Sequence, residues 1–173
     1  MKAIIQSEFG DANVLLYADI EIPQIGDAEC LIKVAYTSVN YADIKARMGN
    51  KGKGNFPVIL GLDTAGTIVD AAPNSAFSIG DRVMAFPEGG SYAEYVTANE
   101  KLVYKIPDSL SFEQAAAMPT VSILAYMLLH EIGQVKKTDT IVIHSAAGGV
   151  GSMLVQLAKL AGVQHIIGTV GKR

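Results

Sequence analysis

The heptapeptide Ser145–Gly151 has the sequence SAAGGVG, with three glycines and no charged side chain. Glycines let the main chain approach a ligand closely, and a helix that begins here would offer free N–H groups and the positive end of its dipole. Together these groups could bind the diphosphate of a dinucleotide. Compared with the pattern G-x-G-x-x-G, an alanine takes the first glycine position and glycines keep the other two. The candidate contacts are Ser145, Ala146, Gly148, Gly149, Val150 and Gly151.

The elements around this turn decide how it is read, because a glycine-rich turn can also serve tight packing alone. Residues Thr140–His144 are β-branched and apolar, as a buried parallel strand should be. From Val150 the apolar residues recur in steps of three and four, which predicts a helix that ends near Gly162. Gln164–Val170 is predicted as the next strand. The order strand, turn, helix, strand predicts one β-α-β unit of a Rossmann nucleotide-binding domain.

The residues that follow the second strand bear on which dinucleotide is bound. Domains that bind NAD place Asp or Glu there to hold the ribose 2′-hydroxyl. This chain has Thr169, Val170, Gly171, Lys172 and Arg173 instead, with two cations and no carboxylate. A 2′-phosphate is attracted by cations, so the sequence predicts NADPH rather than NADH, with Thr169, Gly171 and Lys172 as further contacts. The alternative is that the two cations are a solvated tail.

Residues 1 to about 105 contain many short runs of strand-forming residues separated by Gly, Pro, Asn and Asp, a pattern typical of a barrel or sandwich. One short helix is predicted around Tyr41–Met48. The polar, glycine-rich segment 49–55 is predicted as a mobile loop. The predicted strands are Ala3–Gln6, Val14–Ala18, Glu29–Val39, Gly66–Ala71, Asp81–Phe86, Ser91–Thr97 and Lys101–Tyr104.

Helical patterns begin after residue 109. Ser111 and Gln114 fit a capping box at the start of a helix that continues to Met118. Pro119 is expected to interrupt this helix, and an apolar helix is predicted from Val121 to Ile132.

Composition narrows the class of protein. Half of the 173 residues are hydrophobic, 18% are charged and the net charge is −3, so the chain is globular and has no basic surface for nucleic acid or anionic lipid. The single cysteine, Cys30, excludes an intrachain disulfide. The sequence shows no N-terminal apolar stretch of signal-peptide type and no run of about 18 apolar residues that could span a bilayer. We expect a cytoplasmic protein without nucleic-acid or membrane partners.

An ordered series of motifs along the whole chain resembles the medium-chain dehydrogenase/reductase superfamily, and within it the zinc-free quinone oxidoreductases of the zeta-crystallin-like branch. Besides the glycine turn, the motifs are Ser38–Asp43 (SVNYAD), Gly61–Gly66 (GLDTAG), Gly80–Val83 (GDRV), Gly89–Tyr95 (GGSYAEY), Ala115–Pro119 (AAAMP) and Gly168–Gly171 (GTVG). The resemblance implies a mixed α and β fold, with a GroES-like β-barrel catalytic domain at residues 1–120. A linker helix and an incomplete Rossmann domain would follow at residues 121–173.

The resemblance also implies an activity. Members of this branch resemble NADPH-dependent reductases of quinones or α,β-unsaturated carbonyls, and the native protein would be a homodimer. A doubly wound sheet needs two halves of three strands, whereas this sequence holds one β-α-β unit. We therefore expect a piece of a longer protein, inactive alone, with apolar surface exposed at Ile141, Ile143, Ile166 and Leu154–Leu157. The alternative function is a non-catalytic GroES-like binding or structural module.

Zinc-dependent relatives have a cysteine near the position of Asn40 and a His-Glu pair near Leu62 and Asp63. Asparagine and leucine cannot supply thiolate or imidazole, so we expect no metal site.

The resemblance favours Asn40 as an amide that orients the substrate carbonyl or the nicotinamide, although an N-cap asparagine is an equal reading from the sequence alone. Tyr41 would line the pocket or pack, and Thr120 would face the nicotinamide or cap a helix. The histidines His130, His144 and His165 are interpreted as packed or hydrogen-bonded residues.

Overall fold

A computed structural model describes residues 1–50 and 55–171, so residues 51–54 of the predicted mobile loop, together with Lys172 and Arg173, lie outside the described residues. The chain forms two compact units, Met1–Pro119 and Thr120–Arg173.

The first unit contains eight strands and two α-helices within its described residues. The strands are β1 (Lys2–Gln6), β2 (Leu15–Asp19), β3 (Glu29–Thr37), β4 (Val58–Ile59), β5 (Thr64–Ala71), β6 (Arg82–Ala85), β7 (Tyr95–Asn99) and β8 (Val103–Lys105), and the helices are α1 (Tyr41–Arg47) and α2 (Phe112–Ala116). Single 3₁₀ turns lie at Ala12–Val14 and Glu100–Leu102.

Five antiparallel strands form the main sheet of this unit, in the order β7-β3-β5-β6-β8. Alternate residues of β3 face the core, and Cys30 and Ile32 are fully buried there. They pack with residues of the neighbouring strands in one apolar cluster, which includes Ile68, Val83 and Val96. Cys30 is thus the small core residue that its position on a predicted strand indicated, and burial raises the pKa of its thiol.

The remaining strands form a second, three-stranded antiparallel sheet in the order β2-β1-β4. The GroES-like fold is confirmed, but over residues 1–50 and 55–119 the strands form two sheets and no closed barrel. An isolated bridge between Ala3 and Ala93 connects β1 to the chain that precedes β7. The main-chain N–H of Ile4 also donates to the carbonyl oxygen of Tyr92 at 2.8 Å. The strand β7 begins at Tyr95, later than the predicted start at Ser91.

The start of α2 follows the predicted capping box. The Ser111 Oγ accepts a hydrogen bond from the Gln114 N–H at 3.3 Å, and the Gln114 side chain accepts one from the Ser111 N–H at 3.2 Å. The helix buries Ala115 and Ala116 against Ala65 of β5.

The second unit consists of a parallel β-α-β unit preceded by a helix. Its elements are α3 (Pro119–Tyr126), whose first residue ends the first unit, a π-helical segment (Met127–Ile132), β9 (Thr140–Ile143), α4 (Gly149–Leu160) and β10 (His165–Gly168). The strands pair in parallel, with Ile141 beside Ile166 and Ile143 beside Gly168. The expected interruption at Pro119 is present, since α2 ends at Ala116 and a separate helix starts at Pro119. Proline is compatible with the first helical turn, where its missing N–H leaves no hydrogen bond unmade.

The exposed apolar surface of this unit differs from the prediction. Ile143 is buried, and Ile141, Ile166, Leu154 and Leu157 pack with Leu129 and Val163 in one cluster. The expectation that they would be exposed is wrong, because α4 and the π-helical segment cover that face of the sheet. Side chains alternate along a strand, so the uncovered face is the opposite one, where Val142 and Ile167 are 55% and 52% exposed.

Candidate functional site

Asn40 is the N-cap residue of α1, between the end of β3 and the first helical turn. Its main-chain N–H donates to the Asp43 Oδ2 at 2.7 Å, which closes a capping box at the start of this helix. The Tyr92 hydroxyl donates to the same carboxylate oxygen at 3.1 Å. Asp43 is only 4% exposed, so these donors solvate its charge inside the protein and fix the main chain of Asn40.

The side chain of Asn40 is held by a second buried carboxylate. Its Nδ2 donates to the Asp63 Oδ2 at 2.8 Å and to the Ser38 Oγ at 3.1 Å. The Ser38 hydroxyl donates in turn to the Asp63 Oδ2 at 2.8 Å. Asp63 is 1% exposed, whereas Asn40 is half-buried. The Asn40 residue is therefore fixed twice, through its main chain by Asp43 and through its amide by Asp63. We name Ser38, Asn40, Asp43, Asp63 and Tyr92 the Asn40 network.

Two glycines bring the distant parts of this network together. A Cβ atom at Gly61 would lie 2.1 Å from the Ser91 Oγ, and one at Gly90 would lie 2.1 Å from the Ile59 carbonyl oxygen. Both glycines have a positive φ, of 106° and 95°. The N–H groups of Ser91 and Tyr92 donate to the Leu60 carbonyl oxygen at 2.9 and 3.0 Å. These contacts join the loop that carries Asp63 to the loop that carries Tyr92.

Burial dominates the electrostatics of Tyr92. It raises the pKa of the phenol well above its ordinary value, and the nearby charge of Asp43 and its hydrogen bond raise it further. The Tyr92 phenol therefore acts as a hydrogen-bond donor to Asp43 through the whole physiological range of pH. Another phenol, Tyr36, also has a raised pKa, in this case chiefly because it donates to Glu113.

The other residues suggested for this region have different surroundings. Tyr41 is 71% exposed, and the Lys45 Nζ lies 5.1 Å from the centre of its ring. No hydrogen bond links Tyr41 to the Asn40 network within the residues that the structure describes. In the same described residues, no three His, Cys, Asp or Glu side chains are grouped so that they could hold a metal ion.

The glycine turn connects β9 to α4. Ser145 has a positive φ of 55°, and its carbonyl oxygen accepts the N–H of Gly148 at 2.8 Å, which closes the turn. Gly148 is the N-cap of α4, and the first intrahelical bond runs from the Ser152 N–H to its carbonyl oxygen. The N–H groups of Gly149, Val150 and Gly151 consequently have no acceptor within the helix.

These donors suit an anionic ligand. The first turn of α4 contains no acidic side chain, and Ser145, Gly148 and Gly149 are all exposed. A diphosphate would gain the free N–H groups and the positive end of a helix of 12 residues. Gly148 and Gly149 are exposed, so a ligand has access to the main chain at the start of α4. The residues present fit the diphosphate of a dinucleotide.

Gly151 has a different role from the exposed glycines. It is buried, and a Cβ atom there would lie 2.2 Å from the Ser145 carbonyl oxygen and 2.8 Å from the Ala146 Cα. A Cβ at Gly149 would meet the Val121 Cγ1 at 3.1 Å, so α3 packs beside the turn. The glycine at 151 thus permits the tight packing between turn and helix.

Ala146, at the first position of the glycine pattern, is matched by a glycine on the adjacent strand. Its Cβ lies 2.9 Å from where a Cβ of Gly168 would be. The Ala146 N–H donates to the Thr169 carbonyl oxygen, and the Thr169 N–H donates to the Ile143 carbonyl oxygen, both at 2.9 Å. The main chain of Thr169 therefore holds the turn against the end of the sheet.

The remaining candidate residues lie at several places in the second unit. Thr120 is half-buried in α3, and Gly171 is exposed with no atom within 4 Å of an added Cβ. Lys172 lies outside the described residues. His144 was interpreted as a residue of a buried strand, but it is exposed and its Nδ1 lies 3.0 Å from the Thr169 Oγ1.

Sequence reasoning missed Ser38 and Asp63 as partners of Asn40, and Tyr92 as a partner of Asp43. The spacing of Asn40 and Asp43 was a usable local signal, because a polar N-cap followed three residues later by an acid suggests a capping box. From the sequence, Asp63 was noted only because it stands, with Leu62, near the position of the His-Glu pair of zinc-dependent relatives. Its real contact joins residues 23 positions apart, which no local pattern reveals.

Comparisons with known proteins agree with this geometry. Residues 26–108 match the alcohol dehydrogenase GroES-like domain. The chain is 39% identical over 175 residues to a quinone oxidoreductase from Homo sapiens, with 99% of this chain and 53% of that protein covered. It is 36% identical over 172 residues to the synaptic vesicle membrane protein VAT-1 homolog-like of Mus musculus, with 98% and 41% covered. The chain thus spans about half the length of the curated relatives it matches.

Solved structures give the same result. The quinone oxidoreductase from Coxiella burnetii is similar with a TM-score of 0.93 and 37% identity, with all of this chain and 57% of that one covered. A mycobacterial protein complexed with NADPH is similar with a TM-score of 0.93 and 37% identity, with 99% and 53% covered.

The GroES-like unit followed by a parallel β-α-β unit with a glycine turn defines a medium-chain dehydrogenase/reductase. The chain contains the alcohol dehydrogenase GroES-like domain and is similar to the N-terminal part of proteins of this superfamily, among them quinone oxidoreductases. No helix in the described part of the chain is long and apolar enough to cross a bilayer.

Proposed function

We propose that the native protein is an NADPH-dependent, zinc-independent oxidoreductase that reduces quinones or α,β-unsaturated carbonyls by hydride transfer. The observation that carries this proposal is the exposed glycine turn at the N-terminus of α4, whose free N–H groups suit a diphosphate. Its relatives support it, since several are quinone oxidoreductases and one related structure is complexed with NADPH.

The second unit would hold the cofactor. The N–H groups of Gly149, Val150 and Gly151 bind the diphosphate, and the open surface at Gly148 admits it. Ser145 adds a hydroxyl to the turn. Ala146 packs against Gly168, and this contact fixes the distance between the turn and β10. Thr120 and Thr169 are proposed as polar contacts on either side. When bound, NADPH supplies the hydride, and solvent supplies the proton that completes the reduced product.

The first unit would position the reacting partners. Asn40 is fixed by two buried carboxylates, so its amide keeps one orientation without reorganising during the reaction. Tyr41 offers an exposed aromatic ring next to it in the sequence and is proposed to line the acceptor pocket. Without a metal, rate enhancement depends on this fixed geometry.

The preference for NADPH over NADH is proposed from the sequence after β10. Lys172 and Arg173 stand where NAD-binding domains have a carboxylate. Titration of the native protein with each reduced cofactor tests this preference, and equal affinities would refute it. Replacement of Lys172 by Gln should weaken NADPH binding and leave NADH binding unchanged, and the same change at Lys159, near the other end of α4, is the control.

The decisive experiment measures NADPH oxidation by the native polypeptide with a panel of quinones and enones. We expect turnover with at least one class, and none without an acceptor. Binding of NADPH with no turnover of either class would favour a non-catalytic GroES-like module. The proposed homodimer is tested separately, by sedimentation of the native protein.

A further inference from the structure

His144 and Thr169 form a polar pair at the carboxyl ends of the two parallel strands of the second unit. The His144 Nδ1 lies 3.0 Å from the Thr169 Oγ1, and both side chains are exposed. His144 directly follows β9, and Thr169 directly follows β10. Ligands of open α/β sheets bind outside the carboxyl ends of the strands. The pair therefore lies at the edge of the sheet where a ligand is expected, and this edge also carries the glycine turn.

The main chain ties this pair to the glycine turn. Ser145, the first residue of the turn, directly follows His144. The Ala146 N–H donates to the Thr169 carbonyl oxygen, and the Thr169 N–H donates to the Ile143 carbonyl oxygen, both at 2.9 Å. These bonds fix the main chain of Thr169 beside the turn, whereas its exposed hydroxyl is open to a ligand.

The imidazole and the hydroxyl can share their hydrogen bond in two ways. A neutral imidazole presents either an N–H or a lone pair at Nδ1, so the threonine hydroxyl can accept or donate. A protonated imidazole has an N–H at both nitrogens, so the hydroxyl must accept, and its own hydrogen is then free for a ligand. Protonation thus creates a positive charge and a free O–H donor together. Both changes favour an anionic group.

Other charged side chains of the second unit lie at the opposite edge of the sheet. The charged segment 136–139 (KKTD) precedes β9, and His165 is the first residue of β10. Lys159 is in the last turn of α4, which returns the chain to the start of β10. These groups therefore do not face His144.

The packing around His144 is apolar. Among the described residues no carboxylate forms an ion pair with its ring. His130 and Glu131 of the π-helical segment do not line the cavity beside it. An anionic ligand group would thus meet no competing carboxylate at this imidazole. The cavity is lined, apart from β9 and His144, by Leu128, Leu129, Val135 and Leu154.

We propose that His144 is a positioning residue for the 2′-phosphate of NADP, which acts through the Thr169 hydroxyl, and that its protonation increases the preference for NADP over NAD. The inference rests on the proposed function, because its ligand is the cofactor of the reductase. Histidine is the side chain that ordinarily changes its charge between pH 5 and 8, whereas lysine and arginine stay cationic in this range. Lys172 and Arg173 supply constant attraction, and His144 supplies the part that varies with pH.

Calorimetric titration of the native protein with NADP⁺ and NAD⁺, at about pH 8 and about pH 6, tests this inference. The measured quantity is the ratio of the two dissociation constants, because an effect on the diphosphate, which both cofactors contain, cancels in it. A phosphate monoester also titrates near pH 6, so each ratio is compared with that of His144→Asn at the same pH. Asparagine keeps a polar side chain but does not titrate.

The wild type and His144→Asn should have similar ratios at the higher pH. At the lower pH the wild type should favour NADP⁺ about three- to tenfold more than the variant, as expected when a hydrogen bond becomes charge-assisted. Equal changes in the affinities for NADP⁺ and NAD⁺ would assign the effect to the diphosphate and overturn the inference.

Two substitutions at Thr169 show whether the charge acts through the hydroxyl. Thr169→Val removes the hydroxyl but keeps a branched side chain, and in this background the His144→Asn change should alter the ratio much less. Thr169→Ser restores the hydroxyl, so in this background the change should have its full effect. A merely structural contact between the two side chains predicts no such coupling.

His165→Asn is the matched control. His165 is also exposed, but it lies about 13 Å along the strand from Thr169, so this variant should keep the wild-type ratio at both pH values. Identical ratios for the wild type and His144→Asn at the lower pH, or a full effect of His144→Asn in Thr169→Val, would overturn the inference. Binding of NADP⁺ would in that case leave the proposed function intact. Failure of either dinucleotide to bind at all would refute the proposed function and the inference with it.

Discussion

The carbonyl oxygen of Ser145 lies 2.2 Å from the point that a Cβ of Gly151 would occupy. The oxygen belongs to the main chain, and the position of a Cβ atom is fixed by the main chain of its residue, so neither atom can rotate away. We predict that Gly151→Ala lowers the free energy of unfolding by about 2 kcal/mol, because overpacking costs more than the roughly 1 kcal/mol that alanine adds to helix stability. Urea denaturation followed by circular dichroism measures this loss. Gly171→Ala, which meets no atom within 4 Å, should leave the unfolding free energy unchanged, and an equal loss in both variants would contradict the crowding argument.

Gly61→Ala tests how the Asn40 network is assembled. The change combines a positive φ of 106° with a Cβ 2.1 Å from the Ser91 Oγ. We expect a loss of about 2 to 4 kcal/mol in unfolding free energy, from strain and crowding together. Gly80→Ala separates the two causes, since Gly80 has a φ of 94° and open space around it, and it should cost only about 1 kcal/mol. Equal losses would show that crowding between the two loops is unimportant.

Tyr92→Phe should remove one hydrogen bond to a buried carboxylate and lower the unfolding free energy by about 2 kcal/mol near neutral pH. The same variant also tests how the unfolding free energy depends on pH in the alkaline range. Because the native phenol has a raised pKa, the wild type binds one more proton than the unfolded chain once pH exceeds about 10. Its stability is therefore full below that pH and falls as pH rises further.

The difference in unfolding free energy between the wild type and Tyr92→Phe should consequently shrink above pH about 10. Denaturation curves at neutral and alkaline pH measure this. Tyr104→Phe is the control, since Tyr104 is 41% exposed and its hydroxyl lies 3.5 Å from the Lys101 carbonyl oxygen. A difference for Tyr92→Phe that stays constant with pH would contradict the role assigned to burial.

The uncovered sheet face in the second unit predicts self-association of the 173-residue chain. Val142 and Ile167 are adjacent in the parallel register and each is more than half exposed. Val142→Thr with Ile167→Thr keeps β-branched side chains and should reduce association in sedimentation experiments by a large factor while preserving the fold. Ile79→Thr, at an apolar residue of the first unit that is 74% exposed, should have no effect. Unchanged association in the double variant would show that this face is not the contact surface.

The β-α-β unit could be predicted from sequence because its signals are local. The strand, the turn and the helix are contiguous, and their order alone restricts the fold. The Asn40 network could not be predicted in the same way, since Asp43 and Tyr92 are 49 residues apart and meet through two glycine loops. Only the capping relation between Asn40 and Asp43 was visible locally.

The wrong expectation of an exposed apolar face in the second unit has another cause, which is the identity of the element that covers this face. The face of Ile141 and Leu154 was expected to be exposed because the missing half of the nucleotide-binding domain was taken to be the element that covers it. The π-helical segment covers this face instead, through Leu129.

The fit between Ala146 and Gly168 makes the two positions an epistatic pair. Only one of them can carry a methyl group, since the two Cβ atoms would be 2.9 Å apart. Gly168→Ala should be tolerated only after Ala146→Gly, and the substitutions made in the other order would pass through a disfavoured intermediate. The order in which these two positions can change during evolution is therefore restricted. The glycine that the G-x-G-x-x-G pattern lacks at position 146 is found instead at position 168, on the neighbouring strand.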